Sequence, residues 1–255
     1  MKYIALLLLT GSLFAQTEDS KYITGTLYPA VSLLYSQDDQ GSMKMRCTAT
    51  AIGFKDGVTT FVTAAHCACQ DNSEKKTVSP PKDVVLYVTS DDPEDKEFEK
   101  ATITGCGYRH RGDDFLLLSV KSKKTFPIVA LGNDPKLLEP VVNVASPLGL
   151  GKQAFIGSVS SPSLERPVVD GDINWDHVVM LQIFGVDGGS SGSAVICLDQ
   201  HAICAFVVGS IDDTSVTAMP VSRLKKLQAG LADKSYKYWV ADPDAMQTPT
   251  AAEKK

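Results

Sequence analysis

Three short segments of the chain carry the residue types that nucleophilic catalysis needs. FVTAAHCAC (61–69) places His66 directly after a β-branched apolar run. RGDDFLLLSV (111–120) opens another such run with Asp113 and Asp114, and VDGGSSGSAVI (186–196) crowds glycines and serines just before a third. A serine hydroxyl is a poor nucleophile at neutral pH, so it needs a base within hydrogen-bond reach and an acidic group that orients the base. Taken alone, the glycine and serine cluster reads as a loop between two apolar segments. A histidine and a carboxylate at the edges of two other apolar runs give it a chemical reading instead.

Other chemistry competes for the same residues. His66, Cys67 and Cys69 could open a zinc site, since both side-chain types are common ligands, but no second paired-ligand motif follows. His110, His177 and His201 stand in polar surroundings and read as surface residues. The acidic run DDPEDKEFE (91–99) lacks the ligand spacing of a calcium loop and reads as solvated. No metal and no organic cofactor is expected.

Short segments rich in Val, Ile, Thr and Phe recur between Gly, Pro, Asp and Ser clusters, which is a strand rhythm. About six fall near 26–36, 47–54, 58–65, 83–90, 100–109 and 114–120. About six more fall near 139–147, 153–161, 178–184, 193–199, 202–211 and 216–220. One helix is expected near the end, where Ser222 can cap it and Leu224, Leu227 and Leu231 form a stripe flanked by Lys225 and Lys226. The expected fold is all-β: two packed six-stranded antiparallel barrels with a C-terminal helix and a cleft between the barrels. The rhythm alone also permits one large sandwich or a propeller fragment. The first barrel is expected over 16–120 with His66 and Asp114, and a polar connector over 121–135. The second barrel and closing helix are expected over 136–235 with the serine cluster, followed by a mobile tail over 236–255 that lacks periodicity.

The first residues, MKYIALLLLTGSLFAQ, run basic, apolar, then small, the order of a secretory signal (1–15) with a cleavage point after Ala15. Six cysteines in an exported chain point to a periplasmic or secreted protein with up to three disulfides, whose pairing their number leaves open. No apolar run is long enough to span a bilayer, so no stable membrane insertion is expected after signal removal. A net charge of −5 and the lack of a basic block make nucleic acid an unexpected partner.

Together the three segments resemble the trypsin-like, chymotrypsin-fold serine peptidases, which read His, Asp, Ser along the chain. Thr63-Ala64-Ala65-His66-Cys67 matches that family's histidine motif, and Asp114-Phe115-Leu116-Leu117-Leu118 is similar to its aspartate strand, which favours Asp114 over Asp113. Gly189-Ser190-Ser191-Gly192-Ser193 fits its Gly-x-Ser-Gly pattern with Ser191 alone as nucleophile. VNVASPLGLG (142–151) resembles the apolar strand and turn of the Deg/HtrA branch, and Ala218-Met219-Pro220-Val221 resembles its last strand. The resemblance covers about residues 26–232, with no PDZ module after it and no Ile-Val-Gly-Gly start of the kind that trypsin activation uses. Ser193-Ala194 stands where Gly-Pro is usual, and Ser190 where Asp or Asn is usual.

The resemblance implies an exported serine endopeptidase acting on a polypeptide, with Ser191 attacking, His66 as base and Asp114 orienting it. It implies an oxyanion hole made by the N–H groups of Gly189 and Ser191. It bounds the primary pocket by Phe184, Asp187 and Gly188 on one side and Val208, Gly209 and Ser210 on the other, without fixing a residue preference. It pairs Cys47 with Cys67. A hairpin across LDQHAI would bring Cys197 and Cys204 face to face, which leaves Cys69 for Cys106. The rival expectation is a catalytically silent protein of this fold that binds a partner or peptide in its cleft.

Overall fold

The computed structural model describes residues 17–72, 77–81, 85–89, 97–109, 112–164, 168–170, 173–175 and 177–233. The expected signal, most of the acidic run at 91–99, His110, the side chain of Leu231 and the tail lie outside the described residues. Runs of β-branched and aromatic residues between turn-forming clusters fold as strands. In chain order these are β1 Val31–Gln37, β2 Met43–Lys55, β3 Val58–Thr63, β4 Gln70–Asn72, β5 Thr77–Ser79, β6 Val85–Thr89, β7 Glu99–Cys106 and β8 Leu116–Lys121. They continue as β9 Pro140–Ala145, β10 Gln153–Leu164, β11 Val168–Asp170, β12 Ile173–Trp175, β13 Val178–Ile183, β14 Ala194–Cys197, β15 Ala202–Ser210 and β16 Ser215–Pro220. Two closed barrels result, in the orders β1-β2-β3-β8-β7-β6 and β10-β13-β16-β15-β14-β9. The pairings between these strands are antiparallel, and β4–β5 and β11–β12 form small separate ladders. The twelve barrel strands thus divide six and six, which is the chymotrypsin-like architecture.

The apolar run FLLL explains how the halves are held together. Successive side chains of a strand face opposite ways. Leu116 and Leu118 therefore point into the first barrel, where Leu34, Phe61 and Val88 meet them. Phe115 and Leu117 point outward into a second core shared with Val142, Ile196, Phe206 and Leu224 of the other half. The rings of Phe115 and Phe206 meet edge to face with centroids 5.5 Å apart. A strand buried on both faces loses the usual polar alternation, which is why this one reads as an unbroken apolar run. The second barrel has its own interior of Val141, Leu181, Val195, Val207 and Ala218.

Two boundaries differ from the sequence expectation. Residues near 26–30 are helical: Glu18–Tyr22 leads through a π-helical turn, Ile23–Leu27, into Tyr28–Ala30. The Thr17 side chain accepts from Ser20 N at 3.2 Å, and Glu18 and Asp19 fill the acidic first turn. This segment is held by burial of Leu27 and Ala30 in the core between the barrels. The C-terminal helix, Val221–Asp233, begins one residue before Ser222, so Ser222 is not its cap. The N–H of Ser222 instead donates to Asp134 Oδ1 at 2.8 Å, a carboxylate supplied by the connector. That connector is packed rather than loose, with Phe126 in the first barrel's core and Val129 between the barrels.

Candidate active site

His66 sits in a single 3-10 turn, Ala65–Cys67, directly after β3. Two disulfides bracket it: Cys47–Cys67 ties the turn to β2, and Cys69–Cys106 ties the following residues to the end of β7. The third, Cys197–Cys204, closes the β14–β15 hairpin. The sulfurs of Cys47 and Cys67 lie near the His66 ring, but each disulfide sulfur lacks the thiolate charge that holds zinc. The same holds for Cys69.

Asp114, fully buried just before β8, reaches His66 twice. Its Oδ1 accepts from the His66 backbone N–H at 2.8 Å, and its Oδ2 lies 2.5 Å from Nδ1. The first bond fixes the carboxylate and the second fixes the ring, so Nδ1 carries the proton and Nε2 is left to accept one. Asp113, the alternative, is buried beside Arg223, 3.9 Å from its Nη1. Burial of the imidazole disfavours its charged form, but the charge and hydrogen bond of Asp114 outweigh this and raise the His66 pKa above its ordinary 6.5, with Arg109 opposing and Asp71 assisting. Burial would likewise raise Asp114, yet His66 and Arg109 hold it below its ordinary 3.8.

The raised His66 value stabilises the fold fully below 6.5, and this is lost as pH rises through the folded value. The depressed Asp114 value stabilises it fully above 3.8, and this is lost as pH falls through the folded value. Both contributions are complete between those limits. With His66 serving as the base of a hydrolytic reaction, its neutral form must take the proton, and kcat/KM should then rise with pH along a limb centred above 6.5. Asp114→Asn should cut kcat by about 10⁴-fold, as a lost tautomer does. It should also move the limb of the residual activity downward, since burial then acts on the imidazole without the carboxylate. A pH–rate profile of both proteins checks this, and an unmoved limb contradicts it.

The serine-bearing turn follows from one rule: in a trans peptide the C=O and the next N–H point opposite ways. Gly188 O accepts from Leu148 N at 2.6 Å, which turns the Gly189 N–H to the other side. Gly189 O accepts from Thr48 Oγ1 at 2.9 Å, which sends the Ser190 N–H back to Asp187 O at 2.9 Å. Ser190 O accepts from Ser193 N at 3.0 Å, which turns the Ser191 N–H away again. Ser191 O accepts from Thr48 N at 3.1 Å, and the Gly192 N–H donates to Val207 O at 2.7 Å. The alternation leaves the N–H groups of Gly189 and Ser191 without an acceptor among the described residues.

Glycine is required at two points of this turn. Gly189 has φ +98°, and a Cβ there would stand 2.6 Å from Ser146 O. Gly192 has φ +79°, and a Cβ there would stand 2.3 Å from Ala64 N. The backbone beside Ser191 is therefore pressed against the strand end that carries His66. No hydrogen bond joins His66 Nε2 to the half-buried Ser191 Oγ among the described residues, a contact that catalytic sites often complete only with substrate bound.

The pocket candidates separate by exposure. Phe184, Asp187, Gly188 and Ser210 are exposed, and Gly209 is half-buried. Val208 is instead buried in the core between the barrels. Asp187 folds its carboxylate onto its own turn, with Oδ1 accepting from Gly188 N at 2.6 Å. Of the surface histidines, His177 lies beside Ser163, 3.2 Å from its Oγ. His201 is half-buried, with Nε2 2.7 Å from Asp19 Oδ1 and its ring stacked on Tyr22. Sequence reasoning missed Thr48, which belongs to no motif and meets the serine turn across 141 positions of chain.

Paired barrels with an imidazole and carboxylate from one beside a glycine-rich serine turn of the other define a chymotrypsin-like protein. Residues 47–205 match the family described as "Trypsin-like peptidase domain", and the chain belongs to that family. Among solved structures its fold is similar to the Rv3671c protease of M. tuberculosis in active form, with TM-score 0.60 and 19% identity, covering 82% of this chain and 83% of that one. It is also similar to an HtrA-type protease, AlgW, in a serine-to-alanine variant with a tripeptide, with TM-score 0.64 and 14% identity, covering 86% of this chain and 65% of that one. At these identities the likeness is one of fold. No curated protein matches the chain.

Proposed function

We propose that the chain is an exported serine endopeptidase that cleaves polypeptides through an acyl-enzyme on Ser191. Ser191 Oγ attacks the peptide carbonyl carbon as His66 Nε2 takes its proton, and Asp114 stabilises the imidazolium that forms. The carbonyl oxygen becomes an oxyanion that accepts from the Gly189 and Ser191 N–H groups. His66 then returns the proton to the leaving amine, the C–N bond breaks, and water repeats the sequence to free the acid and regenerate the hydroxyl. No step calls for a metal or an organic cofactor. The observation that carries this reading is the pair of N–H groups at Gly189 and Ser191 left without an acceptor among the described residues, with the intervening Ser190 N–H consumed internally. Export is supported by three disulfides among the described residues and by the signal-like start of the sequence.

A fluorophosphonate probe tests the proposal, because it reacts with a serine only where the base and oxyanion hole are both in place. The native protein should be labelled at Ser191, and prior heat denaturation should abolish labelling. A native protein that stays unlabelled points to the silent, cleft-binding alternative.

A further inference from the structure

The four carbonyl anchors that set the serine turn do not come from one place. Two of them belong to one residue of the opposite barrel, Thr48 on β2. Its hydroxyl donates to Gly189 O at 2.9 Å and its backbone N–H donates to Ser191 O at 3.1 Å. The same hydroxyl accepts from Ser146 N at 3.1 Å, at the head of the loop whose Leu148 N holds Gly188 O at 2.6 Å. Its carbonyl accepts from Thr63 Oγ1 at 2.7 Å, three residues before His66. Thr48 is fully buried, so none of these bonds has water as a ready substitute.

We infer that Thr48 is a positioning residue for the oxyanion hole, whose hydroxyl locks the Gly189 carbonyl and the 146–148 loop so that the Gly189 and Ser191 N–H groups converge. The role rests on the peptidase reading above. It is carried by bonding pattern: the hydroxyl is used once as donor and once as acceptor, and both partners adjoin the peptide groups that aim the hole. Valine at this position would keep the shape and leave the half-buried Gly189 carbonyl and the buried Ser146 N–H both without this partner. The peptide units could then rotate, and an N–H displaced by about 1 Å costs on the order of 10²-fold in rate.

The test compares Thr48→Val and Thr48→Ser with wild type on a peptide substrate, and measures Ki for a peptide aldehyde that forms a hemiacetal oxyanion on Ser191. Thr48→Val should lower kcat on the order of 10²-fold with little change in KM, and should raise Ki by a similar factor. Thr48→Ser, which keeps the hydroxyl, should restore both. Wild-type kcat and Ki in Thr48→Val overturn the assignment, as does a loss of kcat with unchanged Ki. If valine prevents folding, Thr48→Ala supplies the same comparison with less bulk. Wild-type protein that turns over no peptide defeats the peptidase reading instead. In that case a crystal structure of the valine variant decides the positioning role, and unchanged Gly189 and Ser191 N–H directions overturn it.

Discussion

Ser191→Ala is expected to lower kcat on a peptide substrate by about a million-fold, equivalent to about 8 kcal/mol of barrier, while leaving the thermal midpoint nearly unchanged. The size follows from the division of labour proposed for the site. Without the oxygen there is no bond to form, and His66 and Asp114 then have nothing to activate, so the loss should match removal of the whole group of three. What survives is stabilisation by the hole and by binding, which accelerates attack by water modestly. The small effect on stability follows from the Ser191 side chain, which makes no hydrogen bond to described residues. Steady-state kinetics with purified variant, paired with a melting curve, gives both numbers. Turnover close to that of wild type would move the nucleophile elsewhere and end the assignment of Ser191.

Gly192→Ala should have the largest effect on stability, about 4 kcal/mol, which lowers the melting midpoint by about 8–16 °C. The φ of +79° alone costs an L side chain about 1–2 kcal/mol. Steric overlap adds to this, because the new Cβ would meet Ala64 N at 2.3 Å and Thr63 Cα at 2.7 Å, and both are backbone atoms with no flexible end to swing aside. Relief requires the serine turn to lift off the strand end before His66, so activity should fall with stability. Gly188→Ala is the control for stability. It lies in the same turn, its Cβ would meet nothing within 4 Å, and its midpoint should stay near that of wild type. If both variants melt alike, the close approach at Gly192 is not what holds the two loops together.

The groups of the proposed site were picked out in the sequence because each sits in a local motif whose neighbours do structural work. His66 follows β3 in a turn pinned by Cys67, and Asp114 precedes a strand whose apolar run records burial on both faces. The anchors were not legible, because each depends on a contact between distant segments. Residues 47–51, CTATA, alternate polar and apolar as if one face met water. Cys47, Ala49 and Ala51 do line the first barrel, but Thr48 is covered by the second. Asp134 caps a helix 88 positions away, a pairing that local cap signals around Ser222 could not supply. The helical start at 18–30 reads weakly as helix in the sequence, because Ile23, Thr24, Gly25 and Thr26 are poor helix formers, and burial of Leu27 and Ala30 against distant residues supplies what local propensity does not.

The anchoring of the serine turn by Thr48 has a consequence for the protein's own biogenesis. A chain with only its C-terminal half folded would possess the hydroxyl but neither the imidazole nor half of the anchors that aim the oxyanion donors. On the proposed peptidase reading, such an intermediate would have no means of digesting itself or the polypeptides beside it. Latency would then be a property of incomplete assembly, ending when the halves close on each other.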